Sequence, residues 1–243
     1  MLQDEFTSSK TKSLEVRAAQ FAPLSLWSDI RGPKHFVQFY QADTYLVMTI
    51  ADYVLAGLNA GETCIIVATD KHLAMLEGIL GQDTDLVNVR GSGRFVTLDA
   101  EQILAEIMVD DMPDALRLRD LIEPYLIKAT KGGAGIRCFG EMVTILGQRG
   151  NYEASQKLEE IWNDLREDYV FALFCSYPTK LFSSFPTTNR VHICDEHAVI
   201  IPDESYTSLK TGVARLSKIA SLQQRIQELE AELAANAQAQ HRR

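Results

Sequence analysis

The segment His192-Ile193-Cys194-Asp195-Glu196-His197 brings two imidazoles, a thiol and two carboxylates into one short run. Read as an extended strand it points His192 and Cys194 to the same side, and a turn would bring His197 round to meet them. His192, Cys194 and His197 are therefore candidate ligands for zinc or another transition metal. The spacing is not that of a structural zinc motif and no second ligand pair lies nearby. A β-hairpin with ordinary hydrogen bonds and packing accounts for the same residues. The remaining cysteines, Cys64, Cys138 and Cys175, lie inside apolar runs, where a buried thiol packs as a small hydrophobe and is inert. Four scattered cysteines make no disulfide framework.

Phosphate chemistry would need a glycine-rich loop between a strand and a helix. After the first expected strand stands Gln41-Ala42-Asp43-Thr44, with no glycine to let backbone amides cradle a phosphate and no lysine to meet its charge. Gly91-Ser92-Gly93 precedes a strand and so reads as a tight turn. No G-x-S-x-G elbow is present. The residues assign no catalytic group and no cofactor.

The elements that would position these groups alternate. Apolar runs at 35–40, 63–68, 94–98, 135–140 and 170–176 read as strands, separated by stretches of helical periodicity, and this alternation predicts an α/β fold with a largely parallel sheet. Leu46, Ile50, Tyr53, Val54 and Leu58 share one face of a helix capped by Asp43 or Thr44 and stopped at Gly61. Further helices are expected at 70–80, 99–108, from Pro113 to Lys131, at 141–146, and after the cap Asn151, where Leu158, Ile161, Trp162 and Leu165 form an apolar stripe. Runs at 191–194 and 198–201 predict a terminal hairpin. Ligands of open α/β sheets bind beyond the carboxyl ends of strands. Tyr40, Thr69, Asp70, Asp99, Glu141 and Tyr177 fall there. Glu141 is either a first-turn carboxylate favoured by the helix dipole or the anchor of a small ligand. With the hairpin folded over His35, at the opposite end of the first strand, the candidate ligand-binding set is His35, Tyr40, Asp70, Glu141, Tyr177, Cys194 and His197.

With 46% hydrophobic and 23% charged residues in 243, the chain has the profile of a globular protein and excludes a disordered one. A net charge of −9 without a basic stripe argues against direct nucleic-acid binding. No apolar run approaches the ~18 residues of a membrane span, and the N-terminus lacks a basic-then-apolar leader, so a cytoplasmic location is expected. Residues 1–31 read as an N-terminal extension, with a helical hint at 14–21 and a connector at 27–33. From about Asp203 the chain turns helical, and Ile219, Leu222, Ile226, Leu229 and Leu233 alternate three- and four-residue steps as an a/d seam over 219–233. Arg225 and Glu230 then fall at g and e, the pairing expected across a parallel homodimer.

Several blocks, in order, resemble the MEDS family, the methanogen and methylotroph sensory domain: His35-Phe36-Val37-Gln38-Phe39-Tyr40, Ala56-Gly57-Leu58-Asn59-Ala60-Gly61-Glu62, Gly140-Glu141-Met142-Val143, Leu158-Glu159-x-x-Trp162-Asn163-x-Leu165, Cys175-Ser176-Tyr177-Pro178 and Ile193-Cys194-x-x-His197. The resemblance spans about residues 32–202. It implies a three-layer fold like a degenerate RecA/KaiC core that has lost its phosphate loop. It also implies a sensory role, alone or ahead of histidine kinase, PAS or DNA-binding modules, with a small organic compound as ligand. A kinase or regulator would then be the partner, addressed through the helical tail at 203–243. Nucleotide binding through a non-standard loop, and metal or redox sensing, are the competing functions.

Overall fold

A computed structural model describes Trp27 and residues 34–82 and 84–241. Its centre is a six-stranded, all-parallel sheet in the order β3-β2-β6-β7-β1-β8, with β1 His35–Tyr40, β2 Thr63–Ala68, β3 Phe95–Asp99, β6 Ile136–Gly140, β7 Ala172–Pro178 and β8 Val199–Ile201. β4 Met108–Val109 and β5 Met112–Pro113 form a separate antiparallel pair. The strands are apolar on both faces, as a sheet covered on both sides requires.

One face packs on α1 (Asp43–Asn59), α2 (Asp70–Leu80) and α3 (Leu86–Gly91), with Phe36, Ile66, Phe139 and Phe174 pointing into that layer. The other packs on α4 (Ala100–Ile107), α5 (Ala115–Lys131), α6 (Met142–Gln148), α7 (Tyr152–Asp168) and α9 (Thr187–Asp195), with Val37, Ile65, Cys138 and Cys175 pointing that way. α8 (Thr179–Phe182) and α10 (Glu204–Thr207) are single turns, and α11 (Gly212–His241) is the tail. The α7 stripe is buried as its spacing predicts: Leu158, Trp162 and Leu165 lose almost all their exposure, a contribution of roughly 1.5–3 kcal/mol each. Asn151 caps this helix by accepting from the Ala154 N–H at 3.0 Å.

The three-layer architecture matches the expectation, and the expected terminal hairpin is corrected. Thr187–Asp195 is a helix, and β8 lies parallel to β1, pairing Phe36 with Val199 and Gln38 with Ile201. Pro186 stands just before the first helical turn, where a fixed φ favours a helix, and only Ile193 of that helix is buried, so its apolar letters carry no strand period. α1 starts one residue early, with Ala42 rather than Asp43 or Thr44 at its cap and no side-chain cap of its own. The expected N-terminal extension lies outside the described residues except for Trp27, which is buried against Phe36, Tyr53 and Phe174. The four cysteines are free. Among the described residues no helix is long and apolar enough to cross a membrane.

Candidate functional site

Two polar clusters stand at opposite ends of β1. The first lies on the rim beyond the carboxyl ends of the strands. Glu141 follows β6, and its backbone N–H donates to the Val67 carbonyl at 2.9 Å. Its carboxylate leaves its own helix: Oε2 accepts from the N–H and hydroxyl of Thr69 at 3.0 and 3.2 Å, and Oε1 lies 2.7 Å from Nδ1 of His72. His72 Nε2 in turn stands 3.6 Å from Asp43 Oδ2, which the Lys71 ammonium also meets at 2.5 Å. Burial opposes a charge on His72, yet Glu141 and Asp43 outweigh it and raise the ring's pKa above 6.5. Lys71, with help from the ring, holds Asp43 below the usual carboxylate range. Tyr40 closes the group, its phenol kept neutral by burial and by the charges of Glu141 and Asp43.

The same rim carries an unexpected contact from the tail side. The Glu204 carboxylate accepts from the backbone N–H of Gln41 at 2.9 Å and of Ala42 at 2.7 Å, at the N-terminus of α1. Asp203 accepts from the Gln41 side chain at 2.8 Å and from the Thr179 hydroxyl at 3.1 Å. An anion is favoured at these free helix-end amides, and here the protein supplies it.

The second cluster is buried between the sheet and α7, toward the start of β1. His35 Nε2 lies 3.4 Å from Cys175 Sγ and 3.4 Å from Glu159 Oε2, and the Cys175 thiol donates to that same oxygen at 3.2 Å. His197, in the turn between α9 and β8, puts Nε2 3.7 Å from Glu159 Oε2, its ring centroid 3.9 Å from that of His35. The Tyr177 hydroxyl donates to Glu159 Oε1 at 2.8 Å. Burial alone would raise the Glu159 pKa, but the two imidazoles and Tyr177 more than offset it and hold the carboxyl low. Burial pushes the His197 ring down and, with the Glu159 charge, pushes the Cys175 thiol up. Two imidazoles, a thiol and a carboxylate form a donor set that a metal ion could use.

Of the residues chosen from sequence, Tyr40 and Glu141 meet at the rim, while His35, Tyr177 and His197 meet in the buried cluster. Asp70 is exposed and faces Asp99, whose carboxylate raises its pKa. Asp99 itself caps α4 by accepting from Glu101 and Gln102. The proposed triad does not form: His192 faces Glu160 and Glu196 at the surface, 3.4 and 3.6 Å away, and Cys194 stays outside the His197 cluster because helix α9 turns the side chains apart. Sequence reasoning missed Asp43 as a site residue, and also His72, Glu159 and Cys175. The signal that could have found them is a polar residue on an apolar stripe: His72 shares its face with Leu76 and Leu80, and Glu159 shares its face with Ser155 and Trp162. A cleft of about 810 Å³ lies elsewhere, between α4, α6 and the start of α7, and none of the chosen residues lines it.

A parallel sheet covered by helices on both faces, with a polar rim beyond the carboxyl ends of its strands, defines a three-layer α/β domain. The family model of MEDS, the MEthanogen/methylotroph, DcmR Sensory domain, matches residues 34–192, and the chain belongs to this family of sensory domains. No curated protein matches the chain.

Proposed function

We propose that the chain is a cytoplasmic, non-enzymatic sensory module of prokaryotic signal transduction. It binds a small organic molecule at the rim formed by Tyr40, Asp43, His72 and Glu141, and reports through α10 and α11 to a dimer mate or to a partner such as a histidine kinase or transcription regulator. The observation that carries this reading is the Glu204 carboxylate on the Gln41 and Ala42 amides. In a nucleotide hydrolase of this plan those amides would face a phosphate. In this chain they hold the segment that leads into the tail, so a molecule displacing or tightening the β1–α1 turn acts directly on α10. A ligand shifts such an equilibrium only by its differential affinity for the two arrangements, typically ~1–3 kcal/mol.

Mass spectrometry of whatever small molecule co-purifies with the native protein identifies the probe. Adding it back should change hydrogen exchange in α10 and α11 and the dimer affinity, and dimerisation should change its affinity by the same factor. Calorimetry with ATP and ADP should register no binding. Tight, magnesium-dependent nucleotide binding would overturn the reading in favour of a nucleotide-binding protein.

A further inference from the structure

We propose that His35, Glu159, Cys175 and His197 bind one divalent transition-metal ion, with zinc the best match to the donor set. The site is separate from the rim and from the surface residues His192 and Cys194.

Geometry comes first. Metal bonds of about 2.0–2.3 Å at tetrahedral angles place donor atoms about 3.3–3.8 Å apart. Around Glu159 Oε2 the separations are 3.4 Å to His35 Nε2, 3.2 Å to Cys175 Sγ and 3.7 Å to His197 Nε2, and His35 Nε2 lies 3.4 Å from Cys175 Sγ. All four donor atoms fall within 4.8 Å of one another. Four of the six donor separations thus stand close to the spacing of ligands, in the buried layer between the sheet and α7.

The outer partners are those a metal site uses. His197 Nδ1 donates to the Ile193 carbonyl at 2.5 Å, which fixes the tautomer and leaves the Nε2 lone pair directed into the cluster. That Nε2 makes no hydrogen bond although the side chain is fully buried, a costly arrangement unless something accepts the lone pair. Tyr177 holds Glu159 Oε1 and is itself met by the Ser155 hydroxyl at 3.4 Å, so Oε2 remains for coordination.

Charge points the same way. A divalent cation bound to one thiolate, one carboxylate and two neutral imidazoles is electrically neutral, the condition a buried site must approach. The binding step is balanced: the Cys175 S–H bond breaks, its proton leaves to solvent, and the sulfur lone pair forms the bond to the metal with no change of oxidation state. The four ligands come from β1, α7, β7 and the turn leading into β8. An ion would therefore clamp the last strand, and through it α10, to the rest of the sheet.

The test uses the full chain, purified without a metal-affinity step, stripped with chelator and dialysed. Titration with Co²⁺ is expected to saturate at one ion per chain, with intense tetrahedral d–d bands and a sulfur-to-cobalt charge-transfer band, and Zn²⁺ should displace it. Cys175→Ser should abolish the charge-transfer band. Tyr177→Phe, a near-isosteric change in the outer partner, should weaken affinity by about tenfold to a hundredfold. His192→Ala and Cys194→Ser should leave affinity unchanged. Failure of the folded wild-type chain to bind Co²⁺ stoichiometrically would overturn the proposal, and so would a charge-transfer band that survives in Cys175→Ser. Neither result bears on small-molecule binding at the rim.

Discussion

Gly57, on α1, faces Arg137, on β6, so closely that a Cβ at position 57 would come within 2.8 Å of the Arg137 Cδ and 2.9 Å of the Cys64 Sγ. The missing side chain makes room for a guanidinium buried in the sheet. There Arg137 pairs with Glu62, donates to the Tyr53 carbonyl at 3.2 Å and to the Trp27 carbonyl at 3.0 Å, and lies over the Tyr53 ring. Glu62 in turn depends on Gly135, where a Cβ would meet its carboxylate at 2.5 Å. The Gly57-Leu58-x-x-Gly61-Glu62 block is thus a mount for one buried cation.

Gly57→Ala should cost about 1–3 kcal/mol, since a buried thiol on one side and a paired guanidinium on the other leave little room to relax. Gly78 lies in the interior of α2, and a Cβ there would have nothing within 4 Å, so Gly78→Ala should stabilise by about 0.4–1 kcal/mol. Urea midpoints of the two variants should move in opposite directions. A neutral Gly57→Ala would mean that Arg137 is free to move.

Glu204→Gln removes the charge from the Gln41 and Ala42 amides while keeping the side chain's size. We expect a loss of about 1 kcal/mol in global stability, the usual worth of a helix-end anion or cap. Hydrogen exchange should rise in the first turn of α1 and in α10 and stay unchanged in β2 and β6. Uniform acceleration across the sheet would show that Glu204 supports the whole domain rather than the tie between the rim and the tail.

What the sequence discloses and what it withholds follow from the range of the interactions. The five main strands and the α7 stripe are written in local periodicity, and each is legible to within a few residues. The α9 segment misleads because Val191, Ile193 and Cys194 resemble a short strand while the local sign of a helix is Pro186 alone, and the pairing of β8 with β1 that replaces the hairpin is long-range. α3 escapes a sequence reading because its one local sign is Asp85 accepting from Asn88, a single hydrogen bond. At the rim, Tyr40 and Glu141 follow from the rule about strand ends. His72 belongs there only because α2 lays its apolar face on the sheet. Glu159 and Cys175 lie sixteen residues apart on a helix and a strand, and nothing in one dimension brings them together.

The rim histidine gives stability a definite pH dependence. His72 has a folded pKa above its ordinary 6.5 because Glu141 and Asp43 favour the charged ring despite its burial. A base whose pKa rises on folding contributes stability that is complete below the unfolded value and disappears as pH climbs through the folded one. The stability difference between wild type and His72→Gln should therefore be largest in mildly acidic solution and shrink from about 6.5 upward. Urea titrations of both proteins across that range measure it. A difference independent of pH would mean that the His72 pKa is the same in the folded and the unfolded chain, and one that shrinks toward acidic pH would mean that the folded ring is held neutral.

The tail offers the last expectation. Ile219, Leu222, Ile226, Leu229 and Leu233 are 39%, 49%, 55%, 41% and 68% exposed, so the seam is not packed on the domain of its own chain. Arg225 pairs with Glu228 at 3.0 Å and Glu232 at 3.7 Å on the same helix, exposed contacts worth little each. Two heptads form a marginal coil, and one charge in the seam should break it. Leu222→Asp and Ile226→Asp are expected to convert a dimer to a monomer in light scattering after size exclusion. The domain's unfolding free energy, from urea titration at low protein concentration, should change by no more than about 0.5 kcal/mol, because exposed positions contribute little to the core. A wild-type chain that stays monomeric at high concentration would exclude the seam as a dimer contact and leave a partner helix as its remaining use.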